Sequence, residues 1–136
     1  MPRIYVHDFF FSPFEIENNN GESDFYCSVN VYYNFSKEDP GDGWDNLEFF
    51  NISVGTPFGL AKYLKKCINQ GIRAGIFFFP HLLIVDVYDE DKIMKFLKRE
   101  LESIDGKSER ELVLKAIRKF DWESEGLPNV YGQLFL

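Results

Sequence analysis

The side chains of this chain that could do chemistry are two histidines, two cysteines and a cluster of carboxylates. His7 and His81 fall on separate predicted strands, and a lone histidine beside Pro80 reads as structural before it reads as a base. Cys27 and Cys67 match no metal or redox spacing, and neither has a histidine placed to make a thiol nucleophile. Both read as reduced thiols buried as small apolar groups. Asp86, Asp89, Glu90 and Asp91 crowd carboxylates together in the way a hard cation likes. Their spacing lacks the glycine and final glutamate of a calcium loop, and acids at a helix start are expected from the helix dipole alone. Gly41-Asp42-Gly43 is a turn and not a phosphate-binding fingerprint. With no nucleophile, acid–base pair or metal set in sight, the chain reads as a non-enzyme without cofactor or metal.

Charge is distributed unevenly. Residues 1–54 hold ten acids against the two bases Arg3 and Lys37, whereas residues 55–136 hold thirteen bases against twelve acids. The front end therefore accounts for the whole net charge of −7. An acidic surface repels phosphate backbones and attracts basic proteins. The lysines and arginines of the later segments are mixed with acids and lie outside the apolar stripes, as on an ordinary solvated helix. Direct nucleic-acid binding is not expected.

Aromatic residues are abundant: fifteen Phe, seven Tyr and two Trp in 136 residues. One small core does not obviously need so many, so some are expected to face a partner. Trp44 sits among Glu38, Asp39, Asp42, Asp45 and Glu48, while Tyr26 and Tyr32 fall on the polar side of a predicted strand. Aromatic anchors ringed by carboxylates describe a surface for a basic protein. The candidate binding residues are thus Tyr26, Tyr32, Glu38, Asp39, Asp42, Trp44, Asp45 and Glu48. Trp44 could equally fold back over the sheet edge as a plug.

The elements that must position these residues follow from periodicity. Strands are predicted over residues 3–11, 24–35 and 47–54. The second is the clearest, with Phe25, Cys27, Val29, Val31, Tyr33 and Phe35 alternating with polar neighbours. Residues 37–46 form an acidic loop punctuated by Pro40, Gly41 and Gly43. Thr56 and Pro57 start a helix that Gly71 ends. Residues 72–79 are ambiguous. The run Leu82–Tyr88 predicts a strand inside the sheet. Asp89 or Asp91 opens a second helix with Ile93, Phe96, Leu97, Leu101 and Ile104 inward, ended by Gly106. Ser108 and Glu111 make a capping box for a third helix to about Phe120. Trp122 and the apolar residues after it predict a tail packed on the body. The order β-β-β-α-β-α-α predicts an α+β fold: a mostly antiparallel sheet of four to five strands with three helices packed on it. At this length the chain reads as one domain over residues 1–136. Residues 1–15 show no secretory pattern and no apolar run could cross a bilayer, so a cytoplasmic protein is expected.

Three blocks carry a family resemblance. Trp44-Asp45-Asn46-Leu47-Glu48-Phe49-Phe50-Asn51-Ile52-Ser53-Val54, followed by Thr56, Pro57 and Leu60, resembles the central strand and helix start of immunity protein family eight. These are small bacterial proteins encoded beside polymorphic or contact-dependent toxins. His81-Leu82-Leu83-Ile84-Val85 with Tyr88, Asp89 and Ile93 is similar to that family's later strand–helix junction. Phe120-Asp121-Trp122-Glu123 resembles its C-terminal segment. The likeness spans about residues 44–125. It implies an α+β fold, no catalysis, and neutralisation of a cognate toxin C-terminal domain by direct binding, and it transfers no contact residues. An acidic inhibitor suits a basic toxin such as a nuclease. The chain is expected to be a monomer or weak homodimer. Two other classes stay open: a small non-catalytic adaptor or dimeric scaffold, and an enzyme or ligand-binding domain with a pocket near His7, His81 or Asp86.

Overall fold

Apolar and polar side chains alternate from Phe25 to Asn34, and that period of two builds the strand at the middle of the sheet. The computed structural model describes residues 1–13, 23–41, 47–71 and 81–122. Strand β2 (Tyr26–Asn34) is flanked antiparallel by β1 (Tyr5–Pro13) and by β3 (Glu48–Gly55). Strand β4 (Leu82–Ile84) lies parallel to β3, and the two-residue β5 (Asp121–Trp122) pairs antiparallel with β3 at Phe50 and Asn51. The described sheet is therefore mixed and five-stranded, in the order β1-β2-β3-β4 with β5 beside β3.

One face of this sheet is the core. Cys27, Val29, Val31 and Tyr33 of β2 and Phe50, Ile52 and Val54 of β3 are buried there. Helices α2 (Glu90–Glu102) and α3 (Glu109–Ala116) cover them with Ile93, Leu97, Leu101, Leu112, Val113 and Ala116. Tyr33 stacks on Phe50 with ring centroids 4.4 Å apart, and Phe120 leans on Phe50 at 5.9 Å. Such ring pairs add to the burial of their area.

Helix α1 (Pro57–Asn69) starts where Thr56 and Pro57 predict. Buried Thr56 accepts the Gly59 N–H at 3.1 Å and donates its hydroxyl to the Phe25 carbonyl at 3.3 Å. Gly71 takes φ +71°, the left-handed conformation that ends a helix. A Cβ on Gly59 would lie 1.8 Å from the Phe25 carbonyl oxygen, so only glycine lets α1 approach this closely. Tyr26, between the core residues Phe25 and Cys27, turns its ring the other way and meets Tyr63 of α1 at 4.6 Å.

Four expectations are corrected. The run after His81 forms a strand only to Ile84, at the margin of the described sheet. The chain bends at Asp86, whose carboxylate takes the Val87 N–H at 2.9 Å, and Tyr88 then packs in the core 4.5 Å from the Phe25 ring. Helix α2 stops at Glu102 and not at Gly106; Gly106 instead passes so close to α3 that an added Cβ would meet Leu112 at 3.0 Å. Helix α3 stops at Ala116, with a turn carrying Phe120 inward. Its capping box is also offset. Ser108 Oγ accepts the Glu111 N–H at 3.1 Å, but Glu111 reaches the N–H of Lys107, at 2.9 Å, and not that of Ser108. That bond, with Lys115 beside it, holds the Glu111 carboxyl below the usual carboxylate range. The ambiguous residues 72–79 and the tail beyond Trp122 lie outside the described residues.

Candidate functional site

Side chains that point away from the core form the other face of the sheet. Register sets them side by side: Asp8 opposite Tyr32, Phe10 opposite Asn30, Tyr32 opposite Phe49 and Asn30 opposite Asn51. In mid-sheet Asn51 Nδ2 donates to Ser28 Oγ at 2.6 Å and to Asn30 Oδ1 at 2.7 Å. Toward the β2–β3 connection the face turns aromatic and acidic. The rings of Tyr32 and Phe49 lie 5.4 Å apart, and Phe10 is 54% exposed.

The acids gather at the same end. Glu48, exposed at the start of β3, accepts the hydroxyl hydrogen of buried Tyr33 at 2.9 Å. The segment after β2 is pinned by His7, whose Nε2 lies 2.8 Å from Asn34 Oδ1 and 2.9 Å from the Ser36 carbonyl. Asn34 Oδ1 also accepts the Ser36 N–H at 3.0 Å, so both partners of His7 are acceptors and Nε2 is assigned the proton. Ser36 Oγ then accepts the Glu38 N–H, and Asp39 accepts the Gly41 N–H at 2.9 Å. The turn that carries exposed Glu38 and Asp39 is thereby tied to β1 at His7.

Asp8, Glu38, Asp39 and Glu48 form no ion pair among the described residues. Several acids elsewhere are paired: Asp24 with Lys62 at 2.8 Å, Asp91 with Lys95 at 2.9 Å, Glu100 with Lys119 at 3.0 Å and Asp105 with Arg3 at 3.2 Å. Four carboxylates without ion pairs among the described residues therefore add their fields at this end of the sheet.

Of the eight candidate residues, Tyr32 stands on the polar face beside Phe49, Glu38 and Asp39 lie in the turn after β2, and Glu48 starts β3 on the side of its partner Tyr33. Tyr26 is corrected. It is 2% exposed, packed on Tyr63 and against Gly55, because α1 covers that end of the polar face. It has no ring face to offer a partner. Asp42, Trp44 and Asp45 lie outside the described residues. Sequence reasoning missed Asp8, Phe10 and Phe49. Their signal was the alternation of β1 and β3. In β1 it is obscured by three consecutive phenylalanines and by a register irregularity between Val6 and Asp8.

The residues considered for chemistry are occupied structurally. His81 Nε2 bonds the Ile117 carbonyl at 3.1 Å, and its Nδ1 lies 2.5 Å from Asp121 Oδ1 without hydrogen-bond alignment. Burial, with Glu90 adding to it, pushes the Cys27 thiol up to about 12. Asp89 caps α2 through the Lys92 N–H, Asp86 faces Lys92 at 3.6 Å, and Glu90 accepts the Tyr88 hydroxyl at 2.7 Å. Among the described residues no three His, Cys, Asp or Glu side chains are placed to hold a metal ion, and no helix is long and apolar enough to cross a membrane.

No curated protein and no solved structure matches the chain. The family described as Immunity protein 8 matches residues 41–126, the stretch that runs from the β2–β3 connection through β5. That match covers well over half of the 136 residues, and its boundaries enclose the three blocks whose packing roles are now visible: β3 with the α1 start, β4 with the α2 start, and the Phe120–Trp122 turn into β5. The chain belongs to the Immunity protein 8 family.

Proposed function

We propose that this immunity protein neutralises a basic toxin domain, of the kind that acts on nucleic acid, by laying the acidic and aromatic end of its sheet over the toxin's cationic surface. The family gives the general role: a non-catalytic protein that binds a cognate toxin. One observation carries the finer reading. Asp8 stands opposite Tyr32 beside the Tyr32–Phe49 ring pair, Glu38 and Asp39 follow the same end of β2 and Glu48 begins β3, and none of the four has an ion pair among the described residues.

The division of labour follows from magnitudes. Clustered charge steers encounter and raises association rates by about 10–10³-fold at low salt. An exposed ion pair adds only about 0.2–1 kcal/mol, so Tyr32, Phe49 and Phe10 supply the desolvated contact. A nuclease domain has the complementary charge because its substrate is a polyanion.

The experiment is a pull-down of the adjacent gene's product by the full chain, repeated across a salt series. Binding is expected at low salt and is expected to weaken steadily as salt rises. Absence of binding, or binding indifferent to salt, overturns the reading.

A further inference from the structure

Strand β1 changes faces part-way along. Ile4, just before the strand, and Val6 are buried in the core, so even-numbered residues point inward at its start. Beyond His7 the parity reverses: Phe9 and Phe11 pack on that core, while Asp8 and Phe10 are exposed. A regular strand cannot do this, because its side chains alternate with a period of two. The register accounts for it. Val6 pairs with Tyr33 and Asp8 with the adjacent Tyr32, so His7 is one extra residue in β1, a β-bulge. The main-chain donors agree. The Val6 and Phe9 N–H groups, three residues apart, are both taken by side chains, at 2.8 Å by Glu102 of α2 and at 2.8 Å by Asp8.

The bulge decides what β1 offers a partner. Unbroken alternation from Val6 would turn Asp8 and Phe10 into the core. Burying an unpaired carboxylate there is costly, so the strand slips where Asp8 arrives. The slip sets Asp8 and Phe10 opposite Tyr32 and Asn30, on the face that carries the Tyr32–Phe49 rings. It also aims the extra residue. His7 Nε2 bonds Asn34 Oδ1 at the end of β2 and the Ser36 carbonyl beyond it, at 2.8 and 2.9 Å. Asn34 Oδ1 and Ser36 Oγ in turn hold the Ser36 and Glu38 N–H groups. One residue therefore bears on the placing of Asp8, Glu38 and Asp39.

We propose that His7 is the positioning residue of the toxin-binding end: as the bulged residue it turns Asp8 and Phe10 outward, and through its imidazole it fixes the turn that carries Glu38 and Asp39. The inference rests on the toxin reading and adds to it a residue that acts without touching the toxin. Its action is on the free protein. A turn held before encounter presents its carboxylates in one arrangement, and the complex is spared the cost of ordering them. Steering by charge gains in the same way, because it depends on where the charges stand when the partner approaches.

Two measurements on the full chain leave the toxin out. Phe10→Cys is expected to react with iodoacetamide at least about tenfold faster than Phe11→Cys, because the bulge exposes the first position and turns the second to the core; the native Cys27 and Cys67 are buried. His7→Ala is expected to speed amide exchange at Ser36 and Glu38 at least about tenfold, with circular dichroism unchanged. His7→Gln is expected to restore the protection, since its amide nitrogen carries two hydrogens for the same two acceptors. A third measurement brings in the product of the adjacent gene. At low salt His7→Ala is expected to slow association about threefold, and His7→Gln to keep the wild-type rate. In a chain already carrying Glu38→Lys and Asp39→Lys, His7→Ala is expected to slow it no further, as befits a residue that acts through that turn. Equal reactivity of the two thiols, unchanged exchange in His7→Ala, no rescue by glutamine, or an additive effect in the triple variant overturns the inference. So does a His7→Ala chain that associates like the wild type, and that result leaves the toxin reading standing. A wild-type chain that does not bind the product overturns the toxin reading itself, and this role with it.

Discussion

Burial on the β2 core face raises the Cys27 thiol from its ordinary value of 9.0 to about 12, with the Glu90 carboxylate acting in the same direction. The folded chain therefore keeps the Cys27 proton over a range in which the unfolded chain loses it. Between pH 9.0 and about 12 ionisation favours the unfolded state, so this contribution to stability is complete below pH 9.0 and declines as pH rises. Tyr88, buried and bonded to Glu90, is also shifted upward and adds to the loss. Cys27→Ser is expected to flatten the fall of unfolding free energy with pH above 9.0, measured by denaturant titration. The native thiol is expected to resist iodoacetamide at pH 8 until the chain unfolds. A rapid reaction of the folded protein would contradict the assigned environment. At this scale the inert character of Cys27 was legible from its place in an alternating strand. The burial of Tyr26 was not, because it depends on α1 arriving from thirty-odd residues further along the chain.

At the scale of elements, the α1 junction is the tightest contact in the fold. Thr56 caps the helix and also ties it to Phe25, while Gly59 brings the helix backbone against that same residue. Gly59→Ala is expected to destabilise the protein by about 3 kcal/mol, the upper range of overpacking costs, because the new methyl collides with backbone and not with a side chain that can turn away. In a chain of this size that corresponds to a fall in Tm on the order of 10 °C, readable by thermal melting. A variant that melts like the wild type would show that α1 can shift freely. Helix starts were readable in advance because Thr56, Asp89 and Ser108 act through hydrogen bonds to residues three positions on. The length of β4 was misread because an apolar run does not show where the chain leaves the sheet; the bend at Asp86, whose carboxylate takes the Val87 N–H, sets that limit.

For the whole molecule, the distribution of charge is a property of the surface and not of the fold. Glu38 and Asp39 are exposed and, among the described residues, bond only within their own turn, whereas Asp24 and Asp91 are bound into ion pairs. The double substitution Glu38→Lys, Asp39→Lys is expected to leave thermal stability within about 0.5 kcal/mol and to slow toxin association about tenfold at low salt, read by stopped-flow or surface plasmon resonance. Reversing Asp91 is expected to leave toxin association unchanged. Equal effects at the two positions would remove the assignment of the binding end.

Local patterns in the sequence settled the elements and their kind. A period of two in residues 25–35, caps at Thr56, Asp89 and Ser108, and the excess of acids before residue 55 are all interactions or sums over near neighbours, and they survive any rearrangement of the rest. Tertiary structure decided the rest: that α1 hides Tyr26, that Asp8 stands beside Tyr32, that Glu102 of α2 caps the Val6 N–H of β1. Exposure is the reason. Whether a ring, a carboxylate or a strand edge is available to a partner depends on which distant segment covers it, and no spacing along the chain encodes that.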